Sequence, residues 1–340
     1  MHPSPLYDAL GGAAGCRALS SDFYARVARD PVLRPFFPGK SMKCAIDAFA
    51  AFLVDFLGGP ADEAKHHWHL SLDDVHRRFP IGERERDAWL RLMRATIDAT
   101  DLAHTDRRAL AAFFDHASAW LVNHGPAPDP PALDHNDLAS RWTAQRALDR
   151  AIAAIRLDDP AAAIALADEI QSNRAGLLAL MLASGKPPLQ DYVRAAIRAQ
   201  PALVHDRTYG GRTLLHDAAA AADLATVTLL LELGADPNAL DRGDHSPLYT
   251  LANECLLPGA AIVTALVHAG ADVNAADGVT RATPLHMAAR RGSVELAAAL
   301  LDAGACLDAR DRRGDTPLRR ALNCRRPAVA ALLRDRGASM

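Results

Sequence analysis

The 340-residue chain reads as all-α and two-part: a compact helical bundle at the N-terminus and a stacked solenoid of helix pairs at the C-terminus. Three observations predict this. Helix formers recur at helical spacing through residues 5–124 while Val/Ile/Thr runs typical of strands are absent. A proline run, GPAPDPP at 125–131, interrupts that periodicity and removes backbone donors. From about residue 174 onward two short motifs return in phase, which is the signature of a repeat architecture.

A chain of this length holds about two domains with sizeable cores. Lys and Arg number 38 against 41 Asp and Glu, so the formal net charge of -3 provides no basic field for nucleic acid, and the chain is not acidic enough for disorder. The five cysteines, Cys16, Cys44, Cys255, Cys306 and Cys324, are scattered and form no C-x-x-C pair, as expected of a reducing compartment. MHPSPLYDALGG has no basic-then-apolar leader and no run of 18 apolar residues occurs, so a cytoplasmic location without membrane attachment is expected.

In the N-terminal part, helices are predicted near 14–29, 43–57, 83–99 and 106–122, with Ser41 and Thr105 as N-cap candidates. Gly58-Gly59-Pro60 should close the second helix, because glycine takes the left-handed conformation past a helix end and proline cannot continue it. Between the second and third helices lies an irregular stretch that carries His66, His67, His69 and His76. Phe79-Pro80-Ile81-Gly82 then breaks the chain, and Glu83 and Glu85 fall in the next helix's first turn, where negative charge suits the dipole. Trp89, Leu92, Met93 and Ile97 make an apolar stripe along that helix. One histidine near a tryptophan is by itself more often a core or surface residue than a ligand.

LYDALGG at 6–12, DFYARVARDPVLRPFFP at 22–38, FLVDFLGGP at 52–60 and the stretch from Trp68 to Trp89 together resemble a truncated haemoglobin of the second group, over about residues 5–124. The resemblance implies a two-over-two helical sandwich around a non-covalent haem b. It places His76 as the proximal iron ligand, three residues before Phe79 and thirteen before Trp89, both pocket positions. It places Tyr24 on the distal side, Phe37 against the haem plane, and Ala45 and Phe49 facing the ligand, with Tyr24 and Trp89 as the only polar donors among them. The absence of C-x-x-C-H agrees with a haem held by coordination and burial. His66, His67 and His69 are expected at the surface or haem edge; a zinc site there lacks a fourth ligand at suitable spacing. Arg77, Arg78 and Lys65 are candidates for the propionates.

Past the proline run, residues 141–173 regain helical periodicity, with Leu148, Ala151, Ile152 and Ile155 on one face and Pro160 starting a second helix. The repeats follow: RTLLHDAAA at 212, HSPLYTLAN at 245, ATPLHMAAR at 282 and DTPLRRALN at 315, with Thr213, Ser246, Thr283 and Thr316 spaced 33, 37 and 33 apart. A second ladder, Gly-Ala-Asp at 234 and 270, Gly-Ala-Cys at 304 and Gly-Ala-Ser at 337, keeps step. These motifs are similar to ankyrin repeats: four clear copies and a degenerate first one. The four-residue excess in the 37-residue interval falls near Leu256–Ala261 or near Gly278–Arg281. His216 and His286 are expected to hydrogen-bond neighbouring turns rather than to carry chemistry.

The division is therefore 1–125 truncated globin, 126–173 proline linker and helical pair, and 174–340 ankyrin array. The function expected is binding of dioxygen or another diatomic gas by the haem unit, joined to recognition of a protein partner by the array, in the manner of a gas sensor. The alternatives are a haem enzyme of nitric-oxide dioxygenase or peroxidase type, which would need an external reductant, and a haem-free interaction scaffold.

Overall fold

The computed structural model describes residues 4–39, 41–60, 71–170, 173–254 and 259–339. It forms two compact units, one of Met1–Leu157 with Ala165–Ser172 and one of Asp158–Ile164 with Asn173–Met340. Among the described residues the chain is helical throughout, with one isolated β-bridge between Arg207 and Thr213.

In the first unit, α1 (Pro5–Ala9) leads into α2 (Gly12–Val27), α3 (Lys43–Phe56), the short α4 (Leu72–His76), α5 (Glu83–Asp98), α6 (His104–Trp120) and α7 (Asn136–Arg156). The helix α2 packs on α3, α5 packs on α6, and α2 packs on α5, so the two helix pairs meet in one core. Their shared core includes Phe23, Leu53, Met93, Ile97, Leu110 and Phe113, all nearly inaccessible to water. Glycine decides two joints. Gly11 is the N-cap of α2 at φ 89°, a conformation that suits a residue without Cβ. A Cβ on Gly59 would lie 2.5 Å from the Tyr7 ring, so the chain leaving α3 passes α1 where only glycine fits.

Two cap expectations are corrected. Met42 and Ala103 occupy the N-cap positions of α3 and α6, and Thr105 lies inside α6. Ser41 still contributes one residue upstream, where its hydroxyl accepts from the Lys43 N–H at 3.1 Å. Gly82 N–H donates to Glu85 Oε2 at 3.1 Å, which fastens the start of α5 as the acidic first turn anticipated.

The helix α7 is more than a spacer. Its Leu138 and Trp142 belong to the same buried core as α2, α3, α5 and α6. The chain then runs through α8 (Pro160–Ala167), which Pro160 does begin.

In the second unit, helices pair as α9 (Arg174–Ala183) with α10 (Pro187–Ala199), α11 (Leu214–Ala220) with α12 (Leu224–Glu232), α13 (Pro247–Glu254) with α14 (Ala260–His268), α15 (Pro284–Arg291) with α16 (Val294–Asp302), and α17 (Pro317–Asn323) with α18 (Pro327–Asp335). The first helices of each pair stack in one row and the second helices in another, so each repeat buries its apolar face only against its neighbours. Of the two places expected for the excess, Leu256–Ala261 lies partly outside the described residues, and the finger 269–282 is one residue longer than 303–315.

Side-chain hydrogen bonds lock the repeats in register. His216 accepts the Thr213 N–H at Nδ1 (3.1 Å) and donates from Nε2 to the His245 carbonyl (3.0 Å); His286 does the same with Thr283 and Asp315. Burial pushes His216 down to about 4, so it stays neutral with one nitrogen free to accept. An asparagine ladder joins the fingers: Asn238 Nδ2–H donates to the Gly270 carbonyl and its Oδ1 accepts the Asp272 N–H, both at 2.8 Å. Asn274 repeats this with Gly304 and Cys306.

Candidate functional site

A cavity of about 880 Å³ in the first unit lies between the two helix pairs and is lined mainly by aromatic and aliphatic side chains. All seven expected pocket residues, Tyr24, Phe37, Ala45, Phe49, His76, Phe79 and Trp89, line it. Each comes from a different local rule. Phe23 and Tyr24 are adjacent on α2, so Phe23 is fully buried while Tyr24 stands half-buried at the cavity. Phe37 follows a single 3-10 turn, Arg34–Phe36, that bends the chain back over the pocket. Ala45 and Phe49 are four apart on α3 and share one face. Trp89 is half-buried on α5.

These rings touch in a continuous set. Tyr24 meets Phe37 edge-on at 5.4 Å between centroids, Phe37 meets Phe79 at 6.3 Å, and Trp89 packs on Phe23 at 5.2 Å and Phe114 at 5.4 Å. Such edge-on and tilted contacts fix ring orientation as well as burying area.

His76 is the last residue of α4, a helix short enough that its ends decide its stability. Ser71 caps the start, its Oγ accepting the Asp74 N–H at 3.3 Å. At the other end Asn123 Nδ2–H donates to the His76 carbonyl at 3.3 Å, and its Oδ1 accepts the Ile81 N–H at 2.9 Å. The ring is oriented by one strong bond: Nδ1 lies 2.8 Å from the Leu72 carbonyl. A carbonyl can only accept, so Nδ1 carries the proton and Nε2 keeps its lone pair. Burial, only partly offset by that bond and by Asp73, holds the imidazole below its ordinary pKa, which keeps it in the neutral, metal-ligating form.

Several polar groups at the cavity have no protein partner among the described residues. Among the described residues neither the Tyr24 hydroxyl nor the Trp89 indole N–H has a hydrogen-bond partner. Burial also drives the Tyr24 phenol well above its usual pKa, so it remains a donor. Of the expected propionate partners, Arg78 lines the cavity with its guanidinium 4.7 Å from the Phe79 ring centroid; Arg77 does not line it, and Lys65 lies outside the described residues. His66, His67 and His69 also lie outside them, as does the zinc alternative. Among the described residues no group of three metal-binding side chains occurs, and no helix is long and apolar enough to cross a membrane.

Sequence reading missed part of the lining. Arg86 is held by Asp115 at 2.7 Å and by the Ser118 hydroxyl at 3.1 Å, and forms a polar corner of the cavity. Trp142 and Arg156 reach it from α7. The only available signal for Trp142 was its place in a periodic run, which names a buried face but not its neighbour.

A two-over-two helical sandwich with one oriented histidine on an aromatic cavity defines a truncated globin, and the stacked helix pairs define an ankyrin array. Residues 5–123 match the family described as "Bacterial-like globin", residues 251–340 match "Ankyrin repeats (3 copies)" and residues 210–242 match "Ankyrin repeat". The group 2 truncated hemoglobin YjbI of Bacillus subtilis is 33% identical over 123 residues, 36% of this chain and 92% of that protein. Cyclin-dependent kinase 4 inhibitor B of Bos taurus is 38% identical over 109 residues, 32% of this chain and 80% of that protein. Protein PhlB of Serratia liquefaciens is 39% identical over 132 residues, 38% of this chain and 57% of that protein. The chain belongs to the truncated haemoglobin family through its N-terminal part and carries ankyrin repeats in its C-terminal part.

Proposed function

We propose that the N-terminal unit binds one non-covalent haem through His76 and takes up dioxygen or a related diatomic gas, while the ankyrin array recognises a protein partner. The observation that carries this reading is the His76 ring, neutral, hydrogen-bonded at Nδ1 to Leu72, with Nε2 making no hydrogen bond among the described residues and lining a mainly apolar cavity. The residues fit the group in three further ways. The volume, about 880 Å³, lies in the upper part of the range of roughly 300–1,000 Å³ usual for small-molecule sites. The lining is mainly aromatic and aliphatic, and Tyr24, Trp89 and Trp142 bring donors that have no partner among the described residues.

A haem held in this cavity supplies an iron centre able to bind a diatomic gas. His76 presents Nε2, and the Leu72 carbonyl keeps the ring in the tautomer that leaves this nitrogen unprotonated. Phe37, Phe49, Phe79 and Ala45 exclude water from the cavity and offer no side-chain donors. Tyr24 O–H and Trp89 N–H are donors in a dry site, where a hydrogen bond to a partly negative ligand strengthens. The array supplies an extended surface and projecting fingers, the form of a partner-binding module rather than a catalytic pocket. Joining the two in one chain makes partner recognition responsive to the gas.

The test is hemin titration of the full chain, followed by the Soret and visible bands. The wild type should take up one equivalent. His76→Ala should lose the proximal spectrum while His66→Ala, His67→Ala and His69→Ala keep it. A His76→Ala protein with an unaltered spectrum would overturn the assignment.

A further inference from the structure

The short helix that carries His76 is held from outside the part of the chain that matches the globin family. Its first amide, Leu72 N–H, donates to Asp149 Oδ1 at 3.0 Å, 77 residues along the chain. Its second residue, Asp73, pairs with Arg146 at 2.8 Å, and its third, Asp74, pairs with Arg156. All three partners sit on α7, about one to two helical turns apart, so that one helix face meets the whole first turn of α4. Asp149 is itself fixed, with Gln145 Nε2–H donating to its Oδ1 at 3.1 Å and Arg146 at 3.3 Å from its Oδ2.

The helix α7 has reason to stay in place. Leu138 and Trp142 are buried in the core of the bundle, Trp142 packs edge-on against Phe113 at 5.9 Å, and Arg141 donates to the Phe56 carbonyl at 3.3 Å. Trp142 also lines the cavity, and its buried indole N–H has no partner among the described residues. None of these α7 residues falls within 5–123.

We propose that α7 is a working part of the haem site, with Asp149, Arg146 and Arg156 as positioning residues that hold the His76 helix from outside the globin core. This rests on His76 being the haem ligand. A five-residue helix with one bond from Leu72 O to the His76 ring has little stability of its own, so the orientation of that ring depends on what fastens the first turn. Asp149 satisfies an amide that the helix leaves free, and the two arginines neutralise the acidic pair that follows it. Loss of the clamp should let α4 fray, and the ring should wander with it.

The experiment uses the full chain with Asp149→Ala, Asp149→Asn and the double variant Arg146→Ala/Arg156→Ala, whose substitutions lie at less buried positions. In the haem-free protein, hydrogen exchange is followed in peptides covering 71–79, with α3 and α5 as internal references. In the hemin-loaded protein, the rate of hemin loss to a scavenging apoglobin is followed. Asp149→Ala should speed exchange at 72–76 and hemin loss by about tenfold each, the loss expected of one helix-capping acceptor, with α3 and α5 unchanged. Asp149→Asn keeps an acceptor oxygen and should stay within about twofold of the wild type. The double variant should accelerate the same peptide. Unchanged exchange at 72–76 in both Asp149→Ala and the double variant, or acceleration spread evenly over α3 and α5, would overturn the clamp. If the wild type takes up no hemin, the haem reading falls, and the exchange measurements still decide whether α7 holds α4.

Discussion

Replacing Tyr24 by Phe should move two properties in opposite directions. The substitution removes one hydroxyl and keeps the ring that packs on Phe23 at 5.2 Å and on Phe37 at 5.4 Å. That hydroxyl has no hydrogen-bond partner among the described residues, and its raised pKa reports how strongly burial disfavours charge there. An unpaired buried hydroxyl costs about 1–3 kcal/mol; Tyr24 is only half-buried, so the lower end applies. Removing it should stabilise the haem-free unit by about 1 kcal/mol, or raise Tm by ~2–4 °C for a unit of this size. The haem-loaded protein should lose a donor to the gas. A hydrogen bond worth about 1–1.5 kcal/mol corresponds to oxygen release roughly tenfold faster, with carbon monoxide, a less polar ligand, less affected. Calorimetry of the haem-free protein and stopped-flow displacement of oxygen from the ferrous haem-loaded protein measure the two effects. Trp89→Phe should speed release in the same direction, and the double variant should show coupling if both donors reach one ligand atom. A lower Tm in haem-free Tyr24→Phe would show that the hydroxyl stabilises the fold through a partner. Unchanged release in both single variants and the double would remove the donor role.

Three further outcomes are expected. Gly59→Ala places a Cβ 2.5 Å from the Tyr7 ring and should cost about 1–3 kcal/mol in urea unfolding; Tyr7→Leu in the same chain should recover part of it, and additive losses would refute the steric account. His286→Ala strips the donor from the Asp315 carbonyl and the acceptor from the Thr283 N–H at a fully buried site, so the array should lose about 2–4 kcal/mol, whereas His205→Ala at an exposed position should lose almost none. Asp149 is pushed up to about 6, by burial first and then by Asp73, so the folded unit keeps a proton that the unfolded chain releases near pH 3.9. Its contribution therefore falls as pH rises between those values, by on the order of 3 kcal/mol in all. Asp149→Asn should remove that fall, so the variant gains on the wild type across this window when their urea midpoints are compared at each pH; parallel profiles would refute the shift.

The legible parts of the molecule are those whose physics is local. Thr213, Thr283 and Thr316 announce helix starts because a side-chain acceptor before a helix is a near-neighbour event, and the structure places each at an N-cap. The in-phase glycines at 234, 270, 304 and 337 all take positive φ just past the second helices of their pairs, as the ladder implied. Helix starts that depend on packing were misplaced: α6 begins after Ala103, where the buried Leu102 anchors the preceding turn, and not at Thr105. The seven residues that the family's motifs single out line one cavity. Arg86 was not, because its role depends on Asp115 and Ser118 from another helix.

The least legible element was α7. Periodicity put Leu148, Ala151, Ile152 and Ile155 on one face, of which the first three are buried and Ile155 is half-buried, yet a repeating apolar face says only that something covers it. The proline run before it reads as the end of a folded unit, and a resemblance that stops near residue 124 reinforces that reading. The side chains argue otherwise, since Asp137 accepts from Ser4 Oγ at 2.6 Å, Asp149 accepts from Leu72 N–H, and Trp142 sits among the phenylalanines of the core. A proline-rich connection lacks backbone donors, so it can cross a surface without being drawn into helix, and the helix beyond it is free to fold back. Residues 1–125 alone would leave the first turn of α4 without Asp149, Arg146 and Arg156, and the cavity without Trp142. The segment that carries the globin resemblance is thus shorter than the unit that folds around His76, and the difference lies in the helix from which the chain continues toward the ankyrin repeats.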